Sequence, residues 1–305
     1  MSRPLVSVVI PNHDYARFLP QALDSVLKQT YPEIEILVVD DGSTDDSLEV
    51  LRRYHGRIRL FCQPNGGVSR ARNLGIRESR GELLAFLDSD DAWLPEKLAK
   101  QVDLFESRAL GMVYTGLRFV GEDGSVRGQT TDGLSGWVLR ELALLQTPGV
   151  PASGSSAVIR RECFDVAGLF DEALSTSADW DLWRRIACRY EIGMVREPLV
   201  NYRLHRESMH RDVELFERDM LLAFERMFTD EAASAVHPLE RPAKARLFMT
   251  LAGSYFRIRR WDKFLRYCRK SLFLNPRGLC RLAGFPFRRR AELVCYSDLI
   301  TGNHR

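Results

Sequence analysis

Four short apolar runs, rich in β-branched residues, punctuate the N-terminal third of the chain: Val6–Ile10, Ile34–Val39, Ile58–Cys62 and Leu83–Leu87. Most are continuous rather than alternating, the pattern of strands buried on both faces. Between and after them the spacing becomes helical, over Arg17–Gln29, Ser43–Tyr54, Ser69–Ser79 and Pro95–Ser107. Ser43 or Thr44 suits the cap of the second helix, and Pro95 the first position of the fourth. Met112–Val120 and Ser125–Gly128 flank Glu122-Asp123-Gly124 and read as a hairpin. This alternation predicts an α/β fold, a mostly parallel sheet with helices on both faces. Residues 129–177 are irregular, with a loop rich in Gly, Pro and Ser at 147–156, before Asp179–Tyr190 returns to helical spacing. From Val213 the chain reads as helix after helix: Val213–Phe228, Pro242–Ile258, Trp261–Leu274 and Leu279–Tyr296. We divide it into a working domain, 1–210, and a basic helical C-terminal region, 211–305.

Composition narrows the class. The 305 residues are 45% hydrophobic and 28% charged, which excludes a disordered or collagen-like chain. The six cysteines are scattered without a Cys-x-x-Cys pair, so neither a disulfide framework nor a zinc ribbon is expected and a reduced, cytoplasmic setting is. The apolar run that Pro11 ends is too short for a signal peptide, and nowhere does the sequence stay apolar for the roughly 18 residues a spanning helix needs. The net charge of +3 hides an asymmetry: residues 241–305 hold 16 Lys and Arg against 3 Asp and Glu, a balance of +13 that leaves −10 for 1–240. An acidic body suits a metal and a basic tail suits an anionic surface.

Parallel sheets bind ligands at the carboxyl ends of their strands. There the chain carries Pro11-Asn12-His13-Asp14, Asp40-Asp41-Gly42-Ser43, Asn65-Gly66-Gly67 with Arg72 beyond it, and Asp88-Ser89-Asp90-Asp91. Two carboxylates two residues apart, Asp88 and Asp90, can hold one Mg²⁺ or Mn²⁺ shared with a diphosphate. The same acids also suit a plain polar turn before the helix at Pro95. Asp41 suits a helix cap or a nucleobase N–H. Gly66-Gly67 suits a simple loop or a close backbone approach to a ligand, with Arg72 as an anion or base contact. The glycine spacing matches neither the dinucleotide fingerprint nor the P-loop.

Taken in order, VSVVIPNHD, ILVVDDGSTDDS, NGGVSRARNLG, GELLAFLDSDDAW, SSAVIRRECFDVAGLFDEAL, ADWDLWRRIA and YRLHRESMH resemble the family 2 glycosyltransferases, inverting enzymes of the GT-A fold that use nucleotide-sugar donors. The resemblance covers roughly residues 5–210. It implies a Rossmann-like GT-A sheet and a nucleoside site in which Asp41 accepts a uracil-type N–H, completed by the Pro11 backbone, Asn65 and Arg72. It further implies that Asp88 meets the ribose, directly or through the metal shell, and that Asp90 ligates the metal, Mn²⁺ or Mg²⁺. It implies as well that His205 completes the metal or diphosphate shell once a donor is bound. Asp179 stands where the family has the second acid of an acidic pair, the general base; the first position here is Ala178, a departure that removes a neighbouring charge. Trp180 would wall the acceptor sugar or pack in the core. Asp181, with Arg184 and Arg185 a turn later, reads as a helix-stabilising acid.

The expected function is therefore metal-dependent inverting transfer of a sugar, with UDP-sugar the donor the resemblance favours, to a glycan or lipid-linked glycan in cell-surface polysaccharide synthesis. The alternative is a non-catalytic nucleotide-sugar-binding or scaffold protein on the same fold, with Ala178 as its support. A sugar nucleotidyltransferase would carry a glycine-rich basic loop where this chain has Pro-Asn-His-Asp. Arginines interleaved with apolar residues at 279–296 suit peripheral contact with an anionic membrane, on its inner face, or the outer face of a helical bundle. No nucleic-acid-binding motif accompanies them.

Overall fold

The computed structural model describes residues 3–146, 149–151, 153–205 and 212–276. These fall into two compact units, one of Met1–Val138 with Val150–Arg203, the other of Leu139–Gly149 with the described residues from Leu204 on.

The first unit is built on a mixed sheet. Strands β1 (Val6–Asn12), β2 (Ile34–Asp40), β3 (Arg59–Cys62) and β4 (Leu83–Phe86) run parallel in the spatial order β3-β2-β1-β4. Their registers pair Asn12 with Asp40 and Asp40 with Cys62, so three strand ends align along one edge, and Asp88 follows β4 at the same edge. Every residue of β1 and β4 is buried, which explains the unbroken apolar runs. Pro11, which has no N–H to donate, is tolerated in a central strand because the β1–β4 pairing ends before it, at Val9 and Phe86.

Beyond β4 the sheet turns antiparallel. β8 (Val158–Arg160) pairs with β4 and with β6 (Leu110–Gly121), β6 forms the expected hairpin with β7 (Val126–Thr130), and β9 (Glu191–Leu204) and β5 (Ala92–Trp93) complete the order. β5, β8 and β9 were not legible from periodicity. Two and three residues are too few to show a period, and β9 mixes exposed and buried positions along its length. The helices are α1 (Leu19–Leu27), α2 (Ser47–Arg52), α3 (Val68–Glu78), α4 (Lys97–Leu104), α6 (Glu162–Ala167) and α7 (Ala178–Ala187). α2 begins later than the spacing predicts, and neither Ser43 nor Thr44 caps it. Ser43 Oγ instead accepts from the Asp14 N–H (3.0 Å) and the Asn12 amide (3.1 Å), while the Thr44 N–H donates to Asp14 (2.6 Å). The hydroxyls thus tie the loops after β1 and β2 together rather than ending a helix.

The second unit holds α5 (Leu139–Ala143), α8 (Val213–Thr229), a 3₁₀ segment (Glu231–Leu239), α9 (Glu240–Arg257) and α10 (Trp261–Leu274). Its centre is a polar clasp. Glu217 of α8 accepts from the hydroxyls of Tyr255 on α9 and Tyr267 on α10, and pairs with Lys263 at 2.8 Å. The two tyrosine rings stack at 6.0 Å. The expected helix at Leu279–Tyr296, Cys280 and Cys295, and the Arg206–His210 end of the last family-like motif lie outside the described residues.

Candidate active site

The loops that follow the parallel strands place the candidate residues in two groups. The first gathers Pro11, Asp41 and Asn65. Asp41 is 3% exposed, and its backbone N–H donates to the carbonyl of Asn12 at 2.8 Å. Its carboxylate accepts from the Gln63 side chain (2.6 Å) and from the N–H groups of Gly66 (2.9 Å) and Gly67 (2.8 Å). Asp41 therefore holds the glycine loop at the N-terminus of α3, where exposed N–H groups favour a negative charge. A carboxylate offers about four acceptor positions, so these three donors leave room for one more. Asn65 reaches His13, amide to ring nitrogen, at 3.0 Å. Gly42 permits the sharp approach: its φ is +74°, and a Cβ there would lie 2.8 Å from the Asn65 nitrogen.

The second group gathers Arg72, Asp88 and Asp179. Arg72, on α3, has its side chain only 4% exposed, and its guanidinium bridges two acids. Nη2 meets Asp88 at 2.6 Å and Nη1 meets Asp179 at 2.8 Å. Burial works against the Arg72 charge, but Asp179 and Asp88 outweigh it and hold the guanidinium protonated beyond its ordinary range. Phe170 lies under it, 5.2 Å from ring centroid to guanidinium carbon. Asp179, in the first turn of α7 and 8% exposed, also accepts from the N–H of Gly154 at 2.9 Å. A Cβ at 154 would stand 2.8 Å from Arg72 Nη2, so a larger residue there would push on the guanidinium that pairs with both acids.

Sequence reasoning did not anticipate the supports around these acids. Ser155, beside Gly154, accepts from the Asp88 N–H through its hydroxyl (3.1 Å) and from the Trp93 indole through its carbonyl (2.8 Å). Gln101 of α4 donates to the carbonyls of Val113 (2.7 Å) and Ser156 (3.0 Å). Arg203, near the end of β9, donates from its backbone to Asp91 (2.9 Å) and from Nε to the Asp90 carbonyl (2.8 Å). The irregular segment before α7 is thus the brace between the end of β4 and the helix carrying Asp179. Its sequence signal is the run Gly154-Ser155-Ser156 within the 147–156 loop, small residues that let other segments approach closely.

The other candidates have distinct settings. Asp181 is 1% exposed and ion-paired with both Arg184 and Arg185 at 2.9 Å, the helix-stabilising role expected of it. Trp180 is 6% exposed and belongs to the core. His205 directly follows β9, is 5% exposed and belongs to the second unit.

The acids after β4 bear on a metal. Burial, then the charges of Asp90 and Asp88, push the Asp91 carboxyl well above the usual carboxylate range. Among the described residues no three His, Cys, Asp or Glu side chains form a metal cage. The donor set, hard carboxylate oxygens on one short turn, fits Mg²⁺ or Mn²⁺ held by one or two carboxylates and completed by substrate phosphates.

Comparison with known proteins bears on both fold and site. The model of glycosyl transferase family 2 matches residues 7–167, and the chain belongs to that family. An uncharacterized glycosyltransferase of Rickettsia felis (strain ATCC VR-1525 / URRWXCal2) is 35% identical over 210 residues, 67% of this chain and 35% of that protein. The chain therefore aligns with about a third of that relative's length. A putative teichuronic acid biosynthesis glycosyltransferase, TuaG of Bacillus subtilis (strain 168), is 35% identical over 127 residues, 40% of this chain and 50% of that protein. Among solved structures, residues 1–349 of S. aureus TarS in complex with UDP-GlcNAc superpose with a TM-score of 0.64 at 18% identity, covering 88% of this chain and 81% of that one. The mannosyltransferase PcManGT of Pyrobaculum calidifontis, in complex with GDP-Man and Mn²⁺, gives 0.64 at 18% identity over 99% of this chain and 85% of that one. These likenesses are of fold, and the fold is that of the GT-A glycosyltransferases.

Proposed function

We propose that the chain is an inverting glycosyltransferase that moves a sugar from a nucleoside-diphosphate donor, with UDP favoured, to a hydroxyl of a glycan or lipid-linked glycan in polysaccharide synthesis. The observation that carries this reading is the joining of Asp179 and Asp88 through one buried guanidinium, which brings the expected base to the expected donor site. Asp179 takes the proton of the acceptor hydroxyl as its oxygen attacks the anomeric carbon. The new glycosidic bond forms as the bond to the diphosphate breaks, and the nucleoside diphosphate leaves with the electron pair from the opposite face. A base in this role must reach the hydroxyl within roughly 3 Å. Asp90 would hold the divalent cation, Mn²⁺ or Mg²⁺, whose charge, when bound, neutralises the departing diphosphate. Pro11, Asp41 and Asn65 would hold the nucleoside.

The relatives support donor and product classes alike: TarS is seen in complex with UDP-GlcNAc, PcManGT in complex with GDP-Man and Mn²⁺, and TuaG is named as a putative teichuronic acid biosynthesis glycosyltransferase. No described helix is long and apolar enough to cross a membrane. Peripheral contact with the inner face of an anionic membrane is supported by the +13 balance of residues 241–305 and by Trp261, Leu265 and Phe273, all exposed on α10.

Calorimetric titration with UDP, TDP and GDP, with and without Mn²⁺, tests the donor site. We expect metal-dependent binding of one nucleotide, lost in Asp90→Ala and retained in Asp179→Asn. Failure of all three to bind overturns the donor-site assignment.

A further inference from the structure

Arg72 is the residue at which the resemblance and the geometry diverge. As a nucleoside contact it would need free donors facing the base or ribose. Instead one N–H of Nη1 and one of Nη2 are committed to carboxylates, 2.8 Å from Asp179 and 2.6 Å from Asp88. Nε is buried without a hydrogen-bond partner among the described residues, and the side chain, 4% exposed, leaves its remaining N–H groups little access to a ligand. It is enclosed by the Phe170 ring at 5.2 Å and by Gly154, where a Cβ would stand 2.8 Å from Nη2. The fork is used in an uncommon way: its two arms serve two acids from different elements, the turn after β4 and the first turn of α7, 91 positions apart in sequence. Lysine could not do this, because a point charge on a flexible stem has no fixed pair of donor directions.

We propose that Arg72 is a positioning residue that couples the donor end of the site to the base, fixing Asp88 and Asp179 on one guanidinium without itself binding the nucleoside. The inference rests on the reading of Asp179 as the base and Asp88 as part of the donor site. It also gives a partner to a base that lacks the usual acidic neighbour, because Ala178 offers no charge and Arg72 does. Two carboxylates sharing one cation are linked energetically: whatever relieves one of them changes how strongly the cation acts on the other. A donor that engages Asp88 alters the pairing of Asp179, and by thermodynamic reciprocity a change at Asp179 alters donor affinity.

That reciprocity supplies a test that a merely structural role would not pass. The affinity of UDP in Mn²⁺ (or of TDP or GDP, if the wild type binds that one) is measured calorimetrically for the wild type, Asp179→Asn, Arg72→Lys and the double variant. Neutralising Asp179 frees part of the Arg72 charge towards the diphosphate, so Asp179→Asn should bind at least about threefold more tightly than the wild type, a coupling of the order known for linked sites. In the Arg72→Lys background the same substitution should change affinity less than about twofold. Near-UV circular dichroism and thermal unfolding check that Arg72→Lys is folded; if it is not, the comparison of Asp179→Asn with wild type decides alone. Affinities within about twofold for that pair overturn the inference while leaving the donor site intact. A loss of about 100-fold in nucleotide binding by folded Arg72→Lys, with Asp179→Asn unchanged, makes Arg72 a direct donor ligand and overturns it too. If the wild type binds no nucleoside diphosphate, the donor-site reading falls and takes the coupling with it.

Discussion

Two acids two positions apart on α7 show how much a residue's role depends on its partners. Asp179 and Asp181 both lie in the first turn, where a negative charge complements the helix dipole. Asp181 is sealed between Arg184 and Arg185, whereas Asp179 faces Arg72 and the Gly154 N–H at the edge where the parallel strands end. Asp179→Asn should keep the fold and lose about 10²–10⁴-fold in turnover, measured as nucleoside diphosphate release with an acceptor present. Asp181→Asn should do the reverse. It leaves two arginines short of their counter-charge and should cost about 3–5 kcal/mol in denaturant unfolding, with little effect on the turnover of the protein that remains folded. Equal losses of activity without loss of stability in both would refute the division of roles.

At the scale of elements, α4 carries a cost that its position explains. Lys97 is fully buried, its Nζ has no hydrogen-bond partner among the described residues, and it lies 3.9 Å from the centroid of the Trp93 ring. Burial pushes the amine well below its ordinary range. In the unfolded chain the same amine is protonated at neutral pH. The unfolded state therefore binds more protons between the folded and unfolded pKa values, and stability should rise with pH across that window. Lys97→Met removes the penalty while keeping a flexible stem against Trp93. It should be more stable than wild type at pH 7, by ~1.4 kcal/mol for each tenfold shift in the amine's proton affinity, and should have a flatter stability profile from pH 7 to 10. Urea unfolding at several pH values checks both. A wild-type profile as flat as that of the variant would mean that the amine keeps its proton in the fold. Trp93 of β5 donates to Ser155 and Gln101 of α4 to Ser156, so the two elements that meet at Lys97 also steady the turn beside Asp88 and Asp179.

At the scale of the molecule, the two units rest on different physics. The first is held by fully buried strands, the second by helices around the Glu217 clasp. Burial raises the Glu217 carboxyl, but Lys263 and the hydroxyls of Tyr255 and Tyr267 outweigh it, and its pKa lies below the usual glutamate range. Stability from a depressed carboxyl is complete above the unfolded value, about 4.3, and is lost as pH falls through the folded one. Glu217→Gln should lower the melting temperature at pH 7, about 2–4 °C for each kcal/mol lost, because its amide turns a donor towards the Lys263 ammonium. The gap to wild type should narrow by pH 3. A gap that stays constant from pH 7 to 3 would show that the carboxylate charge is not what holds the clasp.

The legible part of this protein was local. β1 to β4 are buried on both faces, so their composition announced them, and the polar clusters after each could be assigned to one edge because parallel strands in register end together. Asp88 and Asp90 could be read as an acidic pair at a strand end, and Asp179 only through the family resemblance, while α8, α9 and α10 followed from their helical spacing. What the chain's own pattern did not contain was pairing between distant segments. β8 is three residues long and becomes a strand because β4 and β6 offer it hydrogen bonds on both sides. Ser43 and Thr44 have cap chemistry, but Asn12 and Asp14 claim it first. Arg72 reads as an anion contact in any sequence; only the fold, by bringing Asp88 and Asp179 to the two arms of one guanidinium, decided which anions it meets. Element type and chemical inventory are thus set by short-range periodicity and side-chain chemistry. The partners of each charged group are set by tertiary structure, because a buried charge is held by whichever opposite charge the fold brings within about 3 Å, wherever that lies in the chain.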